Sequence, residues 1–165
     1  MTLSANIKAS IDYRLSGSPD LGQASARFDG HAAKALANGT GAQQADLVWA
    51  DTITIAPSSD TTLDLTALAN GPLGGTINMA KVKAIHIRAA AANVNNVVVG
   101  DAAEDPFVGP LGGTDPTLTV PPGGDVLLSA PAGGWATASA TDLMLANSGA
   151  GSSVTLDIVI VGTSA

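Results

Sequence analysis

The side chains that could act as nucleophiles or general bases are few, and they form no known catalytic pattern. The chain has two histidines, His31 and His86, no cysteine, and no serine in a Gly-x-Ser-x-Gly turn. His86 lies between two isoleucines, where strand alternation predicts an outward-facing side chain. Paired-carboxylate hydrolysis of sugars is also poorly indicated, because the five aromatic residues are few for an extended sugar-binding surface. We therefore expect no enzymatic activity and no catalytic residues.

Sites for metals and cofactors are weakly indicated as well. Asp101, Glu104 and Asp105 occupy one loop, and closely spaced carboxylates can bind Ca²⁺, but their spacing matches no EF-hand. The alternative, which we favour, is that they are solvated loop acids. The sequence contains no Gly-Lys-Ser/Thr phosphate cradle and no thiolate ligand. It predicts no bound metal and no cofactor.

The composition restricts the class of protein. The chain of 165 residues is 45% hydrophobic and 13% charged, with 19 glycines and nine prolines. The aliphatic content is too high for a disordered acidic tail, and the scattered breakers disfavour a helical bundle. No apolar run approaches the roughly 18 residues of a membrane-spanning helix. The first residues lack the apolar segment of a signal peptide, so we expect synthesis in a host cytoplasm and no membrane partner.

The charges are distributed unevenly. Residues 1–88 contain all seven basic residues together with seven acidic ones, whereas residues 89–165 contain seven acidic residues and no basic one. An acidic chain without a basic stripe is a poor nucleic-acid binder. Such polarity suits a protein with one side docked and the other in solvent, the alternative being chance placement. The candidate docking residues are the four basic ones nearest the start, Lys8, Arg14, Arg27 and Lys34.

The first 45 residues are predicted to form an irregular N-terminal arm. Residues 7–15 alternate between apolar and polar, the pattern of a half-buried strand. The pattern then breaks down between residues 16 and 44. Residues 16–20 have turn chemistry, and residues 23–37 form either a short helical turn or an extended segment. We expect residues 1–45 to embrace a partner.

Residues 46–165 are predicted to form an all-β domain. Short strands alternate with turn clusters about every ten residues, which is typical of an antiparallel β-sandwich or jelly roll of about eight short strands. Asp51 interrupts the apolar face of its strand and suggests either a bulge or a strand that begins after it. Lys81, Lys83 and Arg88 lie on one strand, either protecting a sheet edge or forming a docking strip. We place the two tryptophans in core or interface positions.

The last predicted strand, residues 153–161, ends apolar on both faces. This end is either central in a sheet or covered by a neighbour, and it has more apolar face than one sandwich interior can use. We therefore predict a homo-oligomer, with a trimer expected. The candidate contact residues are Ile158, Val159, Ile160 and Val161.

Three stretches carry a resemblance to a known family. They are residues 40–52 (TGAQQADLVWADT), 82–100 (VKAIHIRAAAANVNNVVVG) and 147–162 (NSGAGSSVTLDIVIVG). In the amino-acid sequence of their strands and turns, they resemble small virion structural proteins of tailed bacteriophages with long non-contractile tails. Small acidic β-proteins of this kind serve as capsid decoration, or cement, proteins and are often trimers at threefold positions. The resemblance implies no catalytic or cofactor residues.

The resemblance implies a decoration protein that binds the major capsid protein of its virion and stabilises the assembled head shell. The chain would then be made in the host cytoplasm and located in the virion. Within virions, the alternative is a tail-tube or tail-tip subunit. From another class, the alternative is a soluble sugar- or receptor-binding β-sandwich, which would show a clustered aromatic or polar cleft.

Overall fold

The computed structural model describes residues 2–17, 24–69, 74–113 and 115–165, and these contain twelve β-strands and no helix. The strands are β1 (Ala5–Gly17), β2 (Ala24–Asn38), β3 (Gln44–Ala45), β4 (Leu47–Ile55), β5 (Asp60–Asp64), β6 (Lys81–Ala89), β7 (Val97–Gly100), β8 (Thr117–Val120), β9 (Asp125–Ser129), β10 (Trp135–Ala136), β11 (Asp142–Asn147) and β12 (Val154–Thr163). The all-β fold class predicted from the sequence is confirmed.

Two antiparallel sheets form the sandwich. One has the order β10-β6-β12-β4, with β9 also paired to β6, and the other has the order β5-β11-β7-β8. We call the first the long sheet, because it contains the three longest strands of the sandwich, β4, β6 and β12. Strands β1 and β2 form a separate antiparallel hairpin, and β3 adds a short parallel pairing at residues 37 and 38 of β2. The hairpin thus lies outside both sandwich sheets.

The core lies between the two sheets and follows from strand alternation. In β12, Leu156, Ile158 and Ile160 are buried while the residues between them face outward. Residues of β7 and β11, such as Val99 and Leu145, meet them from the other sheet. Alternate residues of a strand lie on opposite faces, so each strand gives one apolar row to the core. Burial of each such side chain stabilises the fold by about 1.5–3 kcal/mol.

Most strands of the sandwich match the sequence prediction, whereas the first 45 residues are more regular than predicted. Residues 24–38 form a continuous strand, and the predicted turn at residues 16–20 lies mostly outside the described residues. Six of the 15 residues in β2 are alanine, which has low strand propensity, so the local pattern is weak. Pairing with the strongly alternating β1 determines the conformation of β2.

Two local predictions in the sandwich are wrong. Asp51 causes no bulge, because β4 stays in continuous register with β12 from Leu47 to Ile55, and Asp51 is exposed on this outer strand. The pairing of β12 with β6, in contrast, has a register shift between Val161 and Gly162. Lys83 lies at this shift and is buried, and β6 is a central strand, so the basic residues of β6 do not protect a sheet edge.

Candidate functional site

The hairpin of β1 and β2 is long and regular. Thirteen consecutive residue pairs connect the two strands, from Ala5 opposite Leu36 to Gly17 opposite Ala24. The register has no shift over this length. Directly opposed residues of an antiparallel pair share one face, so the hairpin has two distinct faces that can be identified from the pairing.

One of these, which we call the apolar face, contains the odd-numbered residues of β1 and the even-numbered residues of β2. From Ala5 to Leu15 of β1 and from Phe28 to Leu36 of β2, Lys34 is the single charged residue on this face. Four large side chains of this face are open to solvent. Their exposed fractions are 75% for Ile11, 69% for Leu15, 54% for Phe28 and 52% for Tyr13.

The two aromatic side chains of the apolar face contact each other. Tyr13 and Phe28 are directly opposed, and their rings stack with centroids 5.9 Å apart and an angle of 28° between planes. Stacking of this kind stabilises a hairpin by about 0.5–1.5 kcal/mol beyond the area that it buries. It leaves the outer surfaces of both rings exposed. A contiguous apolar surface of this kind marks an interaction site.

The other side of the hairpin, which we call the charged face, contains three of the four basic residues proposed for docking. Lys8, Arg14 and Arg27 lie on it, whereas Lys34 lies on the apolar face opposite Ile7. The Arg27 guanidinium donates to the Asp29 carboxylate at 2.9 Å, and both side chains are mostly exposed. An exposed pair of this kind contributes about 0–1 kcal/mol, so it leaves the face available to a partner.

Like charges are directly opposed on the charged face. Arg14 is paired with Arg27, and Asp12 is paired with Asp29. Like charges directly opposite each other destabilise an antiparallel pair. Within the hairpin, therefore, neither Arg14 nor Asp12 has an opposite charge directly across from it on the paired strand.

The root of the hairpin is fixed to the sandwich. Leu36 is buried there, in contrast to the exposed apolar residues nearer the other end of the hairpin. Lys83, only 1% exposed, donates from Nζ to the carbonyl oxygens of Gly41 at 3.3 Å and Ala132 at 3.0 Å. Burial, with a smaller contribution from the positive charge of Lys81, lowers the pKa of Lys83 below its usual value. This lysine connects the loop after β2 to the loop after β9.

A groove of about 450 Å³ separates the first half of β1 from the outer surface of the long sheet. Ile7 and Ala9 line it from the hairpin, and Val159, Val161 and Leu127 line it from the sheet. His86 and Asp125 lie at its polar side, with Nε2 and Oδ2 3.7 Å apart. As predicted, His86 faces outward.

The four residues predicted for an oligomer contact divide into two pairs. Ile158 and Ile160 lie in the core and do not reach the surface, because β12 is central and directs them toward the other sheet. Val159 and Val161 face outward, and both line the groove below β1. Part of the second apolar row of β12 is thus covered by the chain itself. Only Val159 and Val161 remain candidate contacts.

The acidic loop residues and the two tryptophans singled out from the sequence lie at the surface and in or against the core, respectively. Asp101, Glu104 and Asp105 are all exposed, and the described part of the chain holds no group of three or more histidine and carboxylate side chains suited to a metal ion. Trp49 is buried, as predicted, and its Nε1 donates to the carbonyl oxygen of Ala69 at 2.7 Å. Trp135 is partly buried and packs against the core.

Sequence reasoning located the basic residues of the hairpin but missed its apolar face. The alternation of residues 7–15 predicts a half-buried strand, whereas Ile11, Tyr13 and Leu15 are all more than half exposed. Phe28 lay in a segment without a predicted strand. The available signal was the short alternation of Arg27, Phe28 and Asp29, which places a large apolar side chain between two charges.

Comparison with known proteins adds little to this description. No protein-family model matches the chain, and no curated protein is significantly similar to it. One solved structure, of IMPa from Pseudomonas aeruginosa in complex with an O-glycopeptide, is similar over 76% of this chain and 13% of that chain, with 20% identity and a TM-score of 0.36. This likeness is too low to support a functional argument, and the resemblance to phage virion proteins stays a prediction.

Across the described ranges, no helix has the length and apolar character needed to span a bilayer.

Proposed function

We propose that this protein is a non-enzymatic structural protein of a tailed-phage virion, a capsid decoration protein that binds the major capsid protein and stabilises the assembled head shell. The observation that supports this proposal is the exposed hairpin, with an apolar face and a charged face, attached to a packed β-sandwich. Such a protein acts through surface burial alone. Binding to the assembled shell stabilises the shell by mass action.

The charge distribution supports a defined orientation on the shell. Residues 1–38 carry four basic and three acidic side chains, a net charge of +1, while residues 39–165 carry three basic and eleven acidic ones, a net charge of −8. The hairpin is therefore the less acidic part and suits a position next to an acidic partner. The sandwich body, including the exposed loop acids Asp101, Glu104 and Asp105, would face the solvent.

Attachment to particles tests this proposal through two matched triple variants. One changes Lys8, Arg14 and Arg27 of the charged face to glutamine, and the other changes Asp101, Glu104 and Asp105 to their amides. Each exposed charge pair contributes about 0–1 kcal/mol, so losing three of them should weaken attachment roughly tenfold. The acidic variant should attach like the unchanged protein.

The measurement is the amount of protein retained on particles that lack their own copy, after addition of purified protein and a salt wash. Because screening acts within about 10 Å at 0.1 M salt, the unchanged protein should also be released progressively as salt rises. Equal retention of the two triple variants, or a greater loss for the acidic one, would contradict the proposed orientation. Absence of any binding to the particles would contradict the decoration function itself.

A further inference from the structure

The hairpin has unpaired backbone on both sides. In the described part of the chain, β1 pairs only with β2, and β2 pairs beyond β1 only with β3, at residues 37 and 38. An isolated two-stranded hairpin is marginally stable in water, and exposed strand edges readily pair with other strands. A hairpin with thirteen paired rows and two open edges is thus incomplete as a structural unit.

The two faces indicate how it is completed. One face is apolar along its length except for Lys34, and the other carries five charged side chains, at Lys8, Asp12, Arg14, Arg27 and Asp29. A sheet with one apolar face and one charged face buries the apolar face against another apolar surface. Closing the sheet into a barrel buries that face and removes both open edges at once.

We propose that three copies of this chain assemble through their hairpins into a closed six-stranded antiparallel barrel. In this barrel, β1 of each copy pairs with β2 of the next beyond the groove, from Ile11 onward. The apolar faces of this outer part form the interior, the charged faces remain outside, and Lys34 and the buried Leu36 stay at the root. The occupant of the exposed apolar face is thus a second and a third copy of the same chain. The inference concerns the isolated protein and is independent of the virion proposal.

The charges support this arrangement in a staggered register. A shift of two residues from the internal register places Arg14 opposite Asp29 of the next copy and Asp12 opposite His31 of the next copy. Arg14 then faces an opposite charge, and Asp12 faces an imidazole in place of a second carboxylate, so neither like-charge pair of the hairpin recurs between copies. An even shift keeps apolar side chains on the same side, and barrel closure itself requires a stagger between strands.

The size of the apolar side chains favours three copies over two. With strands about 4.8 Å apart and tilted by about 40°, six strands enclose a radius of about 6 Å and four enclose only about 4 Å. Tyr13 and Phe28 are too large for the narrower barrel. Small residues on the same face, Gly30 and Ala32, provide space for the large ones in the wider barrel.

The mass of the purified full-length protein tests this proposal. At micromolar concentration, light scattering coupled to size exclusion should give three times the chain mass of 16.2 kDa. Ile11→Asp and Phe28→Asp each introduce a charge into the barrel interior and should reduce the mass to that of one chain. The matched control, Ser10→Asp, adds the same charge on the charged face next to Ile11 and should leave the trimer intact.

A disulfide tests the register, since the chain has no cysteine of its own. Within one hairpin, positions 14 and 29 are diagonal neighbours, whose Cβ atoms are too distant for a disulfide, but between copies the proposed register places them directly opposite. Oxidised Arg14→Cys/Asp29→Cys protein should therefore run as a covalent trimer on a non-reducing denaturing gel, and the single Arg14→Cys variant should not. A mass of one or two chains, a trimer that survives both apolar-face substitutions, or no covalent trimer would overturn the proposal.

Discussion

A chain shortened to begin at Gly39 is expected to remain folded and to lose its attachment to particles completely. The main core cluster takes its fully buried members from Trp49 onward, so removal of the hairpin leaves the sandwich interior intact. The main loss is the burial of Leu36, about 1.5–3 kcal/mol, against a total stability of about 5–15 kcal/mol for a domain of this kind.

Near-ultraviolet circular dichroism of the two tryptophans measures the fold of the shortened chain, and retention on particles measures its binding. The full-length chain carrying Ser10→Asp is the control, since it alters the hairpin surface without removing it. A shortened chain that has lost its tertiary signal would show that the hairpin is an integral part of the fold. A shortened chain that attaches normally would show that the hairpin is not the docking element.

Neighbouring substitutions in β12 are expected to differ strongly in their effect on stability. Ile158 is 1% exposed in the core, whereas Val159, the next residue, is 36% exposed on the outer surface of the long sheet. Ile158→Ala removes buried methyl groups and leaves a cavity, so it should lower the free energy of unfolding by about 2–5 kcal/mol. Val159→Ala should lower it by less than about 1 kcal/mol.

Urea denaturation followed by tryptophan fluorescence measures both effects. Val159→Ala serves as the matched control, because it lies on the same strand and also shortens an aliphatic side chain. Comparable losses for the two variants would contradict the assignment of their faces. A large loss for Val159→Ala alone, accompanied by a change in mass, would indicate that Val159 lies in a contact between copies.

The sandwich was predictable because its strands carry their own signal. In β6 and β12, apolar and polar residues alternate strongly enough to identify both the strand and its inward face, as for Ile85, His86 and Ile87. Alternation cannot reveal which strand is central. For this reason the sequence predicts a contact between copies for Ile158 and Ile160, whereas β12 directs them into the core of its own chain.

The hairpin was predictable only in part, because its character depends on long-range pairing. The sequence of β2 has a weak strand propensity, and β2 is extended because thirteen of its residues pair with β1. Local propensity does not identify that partner. The burial of Lys83 was likewise not predictable from the local sequence, since it follows from the register shift between β6 and β12 at Gly162. The exposure of Ile11 and Phe28 is a tertiary property, and the strand pattern by itself predicts burial.

The position of the protein on a phage particle tests the decoration function most directly. A cryo-electron microscopy map of tailed particles that carry this protein should show the β-sandwich on the outer surface of the head, with its hairpin directed toward the capsid shell and its acidic loops toward the solvent. Density for the same sandwich in the tail tube or at the tail tip, or no density on the head, would contradict the account.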